Sequence, residues 1–416
     1  MAIHQLFSFG GKNFANWFAT LSSSGSEVFT SVATYDGAIY AAGYTNNGGS
    51  DNEAFVAKFS SGGALEWQKL LGATGTNTWN SVAAYINGCY VGGYYTVSTL
   101  TRPSIAHYNT GGALQWQREL FGAESDSIDG IALDSSSNIY ITGNVESQIA
   151  GNGALIAKYN SSGTIQWQRS LGGAAVSTTE WGRKCAVDST GSIYVAGDTT
   201  SQTTDRFGLL TKYNTSGTIQ FQRSCGTSTF NNFFRYIALN SAGTAVYVAG
   251  LELSTGGAGS YDLMVAKFDT SGNLTWQRRI GAATNDLAAG IAVDSNEDVY
   301  AATGDNVVKY NSGGTLQWNR SFSGASISNI TVSGTNLILC GIKGTDAFIA
   351  KVPTDGTKTG TYGGVTYATG TWTAGTNPAN TVATRTLTDA ARTLTSSTSS
   401  LTDTTTTLTD TVTEVP

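Results

Sequence analysis

Apolar residues along this chain come in short bursts separated by polar turns. A representative stretch runs Ile131-Ala132-Leu133-Asp134, a turn over Ser135 to Asn138, then Ile139-Tyr140-Ile141-Thr142-Gly143. After a longer segment come Ala154-Leu155-Ile156-Ala157-Lys158-Tyr159, the turn Asn160-Ser161-Ser162-Gly163, and Thr164 to Leu171 with Trp167-Gln168-Arg169 inside it. Runs of about four to eight residues, bounded by Gly, Asn, Asp and Ser, predict antiparallel strands joined by tight turns. Four such strands, A to D, make one unit.

The unit recurs. Its D strand carries Trp67-Gln68-Lys69, Trp116-Gln117-Arg118, Trp167-Gln168-Arg169, Phe221-Gln222-Arg223, Trp276-Gln277-Arg278 and Trp318-Asn319-Arg320. The steps between these anchors are 49, 51, 54, 55 and 42 residues. A period in this range with strands inside each unit predicts the blades of a β-propeller. Strand C, ending in Lys58-Phe59, His107-Tyr108, Lys158-Tyr159 and their equivalents to Lys351-Val352, occurs seven times, but no anchor follows Lys351. Trp17 lies 50 residues before Trp67, and period-two alternation puts Trp17, Ala19 and Leu21 on one strand face. The expectation is an all-β, seven-bladed propeller of four-stranded blades over residues 1–352, with residues 14–21 completing the last blade; residues 357–361 are the alternative closure.

The units resemble the bacterial β-propeller repeat, with its I-x-V-D-x-x-G-x-I-Y-V-x-G and A-K-Y-x-x-x-G-x-x-x-W pattern. Asp188 to Gly197 and Ala157 through Trp167 carry the likeness, over roughly residues 14 to 352. Phe221 in place of Trp, His107 in place of Lys and a sparse seventh unit depart from it. The resemblance implies a scaffold and supplies no catalytic residues. Recurrence of Trp-Gln-Arg in almost every unit points to construction, with the guanidinium stacking on an aromatic ring or bridging blades.

Composition narrows the function classes. Charged residues are 12% of 416, the net charge is −6, and Lys and Arg are scattered with no run longer than two, so a nucleic-acid partner is not expected. Residues 1–18 lack a basic segment followed by an apolar run, and no stretch approaches about 18 consecutive apolar residues, so neither a signal peptide nor membrane insertion is expected. Cys89, Cys185, Cys225 and Cys340 fall in slots where other units carry small or apolar residues and read as reduced packing residues. With only His4 and His107, no cofactor or metal is expected; no Gly-x-Ser-x-Gly elbow, phosphate loop or His-Glu-x-x-His occurs, and no enzyme activity is expected.

Beyond residue 353 the pattern changes. Residues 353–380 are Gly- and Thr-rich with alternating aromatics, a hairpin or linker. In residues 381–416, Leu387, Leu394, Leu401 and Leu408 recur every seven residues among Thr, Ser and Asp. A heptad suits a coiled coil, whereas Thr, Ser and Asp are mediocre helix formers. The expectation is an oligomeric stalk or an irregular segment. Leu-Thr-Asp tails of this kind resemble those of virion structural proteins of marine tailed phages, particularly cyanophages.

The D-to-A and B-to-C connections share one face of a propeller, and here they are longer and differ between units, a pattern suited to recognition. Aromatic and charged residues on that face are candidate ligand contacts: Trp79, Trp181, Phe230, Phe233, Phe234, Arg102, Arg183, Asp205, Arg206 and Tyr261. These observations lead to an expected non-enzymatic, virion-associated attachment protein, binding a host-surface glycan or protein through this face and other virion proteins or further copies of itself through the tail. The alternatives are a bacterial surface or secreted lectin-like propeller, and a glycan-degrading enzyme using loop carboxylates.

Overall fold

A computed structural model describes residues 16–374 except 47–48, 73–74, 99, 122–125, 148–150, 173–178, 201–205, 227–230, 254–260 and 283–284, together with tail stretches 381–384, 388–391, 395–397, 402–405 and 409–414. Seven antiparallel sheets stand around an axis as the blades of a propeller. Blade four shows the plan: A at Glu180–Val187, B at Ile193–Thr199, C at Phe207–Tyr213 and D at Ile219–Gly226. Every residue of its B strand is buried, because a middle strand is covered on both faces by neighbouring blades.

The recurrent residues lie in a single cross-strand row. Tyr140 on B pairs with Lys158 on C, which pairs with Trp167 on D, and the equivalent row recurs from Tyr40-Lys58-Trp67 onward. The Lys158 ammonium lies 5.0 Å from the centre of the Tyr140 ring, so its stem is covered while its charge reaches the surface. Each D strand also grips the next blade. Trp167 Nε1 donates to Thr215 O at 2.9 Å and Arg169 Nε donates to Gly217 O at 2.8 Å, while the guanidinium stands over the Trp167 ring. Gly217 has φ +76, and a Cβ there would lie 2.7 Å from that ring. The turn needs glycine both for its backbone and for the approach of the indole. The repeated Trp-Gln-Arg is therefore an inter-blade clamp.

Trp17–Ser22 is the D strand of blade seven, pairing Trp17 with Lys351. Trp17 Nε1 donates to Ser61 O of blade one at 3.2 Å, and Glu27 N donates to Thr345 O at 2.8 Å, so the N-terminal strand closes the ring. The hydrophobic core is divided into wedges between adjacent sheets; the wedge at the seam combines Trp17, Phe29, Phe55 and Ile349. The four cysteines are free and buried within such wedges.

The tail departs from the sequence-based expectation of a stalk or an irregular segment. A hairpin, Gly360–Tyr362 and Val365–Thr369, adds to the outer edge of blade six. Thr373–Ala374, Thr381–Thr384, Thr388–Ala391, Thr395–Ser397, Thr402–Thr405 and Thr409–Glu414 then pair with the D strands of blades five, four, three, two, one and seven. The register repeats: Arg223 faces Thr384, Arg169 faces Ala391, Lys69 faces Thr405 and Ala19 faces Val412. Seven residues carry the chain from one blade to the next, so the sequence period matches the passage around the ring. An open D edge offers unpaired backbone groups to any strand within reach, which is the physical reason a Thr-rich segment settles there. The heptad residues Leu387, Leu394, Leu401 and Leu408 lie outside the described residues.

Candidate functional site

Each A strand carries one extra residue at the same point of its ladder. The register shifts fall around Thr30, Asn80, Asp129, Arg183, Arg235, Ala289 and Ser328. Bulges of this kind re-aim a side chain, and these A strands are the innermost strands of their blades. The residues at this position are uncharged in blades six, seven, one and two, and charged in blades three, four and five.

The following position distinguishes the same sector. Ser31 Oγ accepts from Val82 N at 3.1 Å and Ser81 Oγ from Ile131 N at 3.2 Å, each joining adjacent blades. Blade four has Lys184 there, and its Nζ crosses to Asn80 O at 2.8 Å and Asp129 O at 2.6 Å. Gly130 makes room, since a Cβ on it would lie 2.9 Å from Lys184 Cα. Tyr236 of blade five donates its hydroxyl to Ser328 O of blade seven at 3.3 Å. Burial brings the Lys184 ammonium down to about 8, with Asp129 pulling the other way. Burial raises the Asp129 carboxyl, opposed by Arg183 and Lys184. Asn80, Asp129, Arg183, Lys184, Arg235 and Tyr236 line a cavity of about 310 Å³ along the axis.

From this cavity a polar path leads toward the variable-loop face between blades four and five. Arg183 stacks 3.6 Å from the centre of the Trp181 ring, and its Nε lies 3.2 Å from Asp198 Oδ1. Arg206 Nη1 lies 3.2 Å from Asp198 Oδ2, and its guanidinium is 5.7 Å from the Trp181 ring and 5.5 Å from Phe233. Phe233 meets Tyr261 edge-on at 5.8 Å. The ladder sets this up, because Trp181 on strand A faces Asp198 on strand B. Burial raises the Asp198 carboxyl, and the two guanidiniums oppose that shift.

Five of the sequence candidates, Trp181, Arg183, Arg206, Phe233 and Tyr261, are thus brought together. Phe233 is itself only 9% exposed, in the wedge between blades five and six, and two others are not surface residues. Trp79 is 1% exposed, packed in the wedge between blades one and two with Tyr40 and Leu71. Phe234 is fully buried against Phe268 and fills the wedge between blades four and five. In each case the bulged residue, Asn80 or Arg235, shifts the alternation by one, so Trp79 joins Val82 and Phe234 joins Ile237 in one wedge. Arg102 is separate, on blade two with Glu119 at 3.8 Å, and Phe230 and Asp205 lie outside the described residues. Sequence reading passed over Asn80, Asp129, Lys184, Arg235 and Tyr236. Their signal is the column two residues before Val32, Val82, Ile131, Cys185, Ile237, Ile291 and Ile330, which reads Thr, Asn, Asp, Arg, Arg, Ala, Ser.

The family described as outer membrane protein assembly factor BamB matches residues 101–338 and 261–409. The chain belongs to this BamB-like β-propeller family. No curated protein sequence matches this BamB-like chain. Among solved structures, it is similar to the WD40 domain of Neurospora crassa Pan2, with 11% identity and TM-score 0.53, covering 78% of this chain and 89% of that one. It is also similar to the WD40 β-propeller domain of Doa1, with 13% identity and TM-score 0.52, covering 82% of this chain and 97% of that one. At these identities the likeness is one of fold. The BamB-like ring and these WD40 domains share the propeller architecture.

Proposed function

We propose that this BamB-like propeller is a non-enzymatic binding scaffold that engages a protein partner through the sector around Trp181, Arg206 and Phe233. The observation that carries the reading is the break in repetition. Clamp and row residues recur from blade to blade, whereas charge at the bulge positions is confined to blades three to five. A structural role would be repeated; a recognition role needs one address on the ring. Arginine and aromatic side chains together suit an interface hot spot, and an assembly factor as the family namesake supports a protein partner. The reading includes a virion setting, with a host-surface protein or glycan as the target, on the resemblance of the Leu-Thr-Asp tail alone.

Binding of labelled protein to candidate host cells, with and without glycosidase treatment, tests this. Trp181→Ala/Arg206→Ala should reduce saturable binding at least about tenfold, the loss of a central anchor. Undiminished binding by the double variant would remove this sector from recognition, and a loss after glycosidase treatment would make the target a glycan.

A further inference from the structure

The charged residues of the axial cavity are unevenly matched. Lys184 lies within electrostatic reach of Asp129 and donates to two backbone carbonyls. Asp129 Oδ1 accepts from Ser127 Oγ at 3.3 Å and Asn80 Nδ2 at 3.4 Å. Arg183 is ion-paired to Asp198, which Arg206 shares. Arg235 lines the same cavity, and among the described residues no carboxylate forms an ion pair with it; its Nε is buried without an acceptor. Burial lowers the Arg183 guanidinium, Asp198 and Asp129 oppose that, and Arg235 adds a smaller like-charge effect while also lying within electrostatic reach of Asp198. A buried N–H without an acceptor and two guanidiniums facing one space are both unfavourable, and one bound anion relieves both.

We propose that the axial cavity binds a small oxyanion, a phosphate or a carboxylate compound, held chiefly by Arg235 with Arg183 beside it. A guanidinium presents parallel N–H donors that match two oxygens of either group. The volume of about 310 Å³ lies at the small end of ligand sites, which run from about 300 to 1,000 Å³. That volume suits a small molecule better than an inserted polypeptide segment. Ala289, Ser328 and Thr30 occupy the bulge positions of blades six, seven and one, and their small size keeps that side of the axis from filling the space. Among the described residues Asp129 is the one carboxylate lining the cavity, and Lys184 and the Asn80 amide offset it.

Arg183 joins this site to the partner-binding sector through Asp198, but the test is separate from that reading because it is made with no partner present. Full-length protein titrated calorimetrically with sodium phosphate, and separately with sodium succinate, should show saturable binding of one ligand per chain. Sodium chloride at matched ionic strength should show none. Arg235→Gln should weaken the preferred anion at least about tenfold, as expected for a lost charge-assisted pair. Arg235→Lys should fall between, and Lys358→Gln, just ahead of the outer hairpin of blade six, should bind as wild type. Tighter phosphate binding identifies a phosphate compound and tighter succinate binding a carboxylate. Absence of saturable heat with both salts, or equal binding by Arg235→Gln, overturns the proposal. Should Arg235→Gln not fold, the Arg235 Nε resonance of the wild type decides: it must shift on phosphate or succinate addition, and a static resonance at high concentration also overturns it.

Discussion

Trp17→Ala tests the seam of the ring. The same position of the repeat is occupied by Trp167 in blade three, yet Trp17 is fully buried whereas Trp167 is only partly so. The outer tail strand explains the difference. Along the seam it pairs as far as Trp17 with Glu414, while in blade three the pairing stops at Arg169 with Ala391. A tryptophan side chain removes about 150–250 Å² from water, or about 4–6 kcal/mol at 25 cal/mol per Å². Compactness of the unfolded chain lowers this to about 3–5 kcal/mol. The bond from Nε1 to Ser61 O adds about 1 kcal/mol, and Lys351 Nζ still reaches that carbonyl at 3.1 Å after the change. The expected cost is therefore about 4–5 kcal/mol for Trp17→Ala and about 2 kcal/mol for Trp167→Ala. Equilibrium urea unfolding of both variants measures the gap. A chain ending at Leu408 should bring the cost at Trp17 down to that at Trp167. Trp17→Phe should cost about 1–2 kcal/mol, because Phe221 already serves at this position in blade four. Equal losses for the two alanine variants, within about 0.5 kcal/mol, would refute the tail strand as the cover of the seam.

Gly217→Ala should destabilise by about 3 kcal/mol, since both φ +76 and the Trp167 ring oppose a Cβ; Gly334→Ala, at φ +59 with open space, should cost about 1 kcal/mol in the same thermal assay. Burial pulls the His107 imidazole from 6.5 down to about 4. The unfolded chain then binds the extra proton across that interval, so stability is complete above pH 6.5 and falls as the pH drops toward 4, by about 2 kcal/mol after allowance for partial solvent access. His107→Lys, the residue of the other rows, should remove this slope from denaturation curves taken across that range. Lys184→Met should cost about 3 kcal/mol by leaving the carbonyls of Asn80 and Asp129 without their donor and Asp129 with Arg183 as its remaining cation, with Lys184→Arg retaining part of the loss on urea titration.

Much of the architecture was readable because blade construction repeats itself. Trp167, Arg169 and Lys158 recur at fixed spacing, and strand alternation assigns each a face. Alternation alone does not place Trp79 and Phe234, because a bulge separates each from the apolar run of its A strand and that strand begins earlier than the run suggests. Arg183 and Arg206 were found as charged residues near variable loops, but their meeting on Asp198 depends on the A–B register, which a single sequence does not specify. Arg235 and Lys184 escaped notice because a bulge breaks period-two alternation at the point where they stand. The tail shows a different limit. A period of seven has two physical origins, the winding of a helix and the step from blade to blade, and only the second agrees with the threonine content.

The order in which the tail visits the blades has a mechanical consequence. It proceeds from blade six backward through blades five, four, three, two and one and ends on blade seven, beside the N-terminal strand. A pull on the C-terminus therefore loads a single short ladder at a time, in the geometry of a zipper rather than of shear. Each release frees about seven residues, roughly 24 Å of extended chain at 3.4 Å per residue. A force trace should show a staircase of small, evenly spaced steps before the ring itself yields. The belt would then act as a graded shock absorber, letting a tethered ring give way by increments while its blades stay folded.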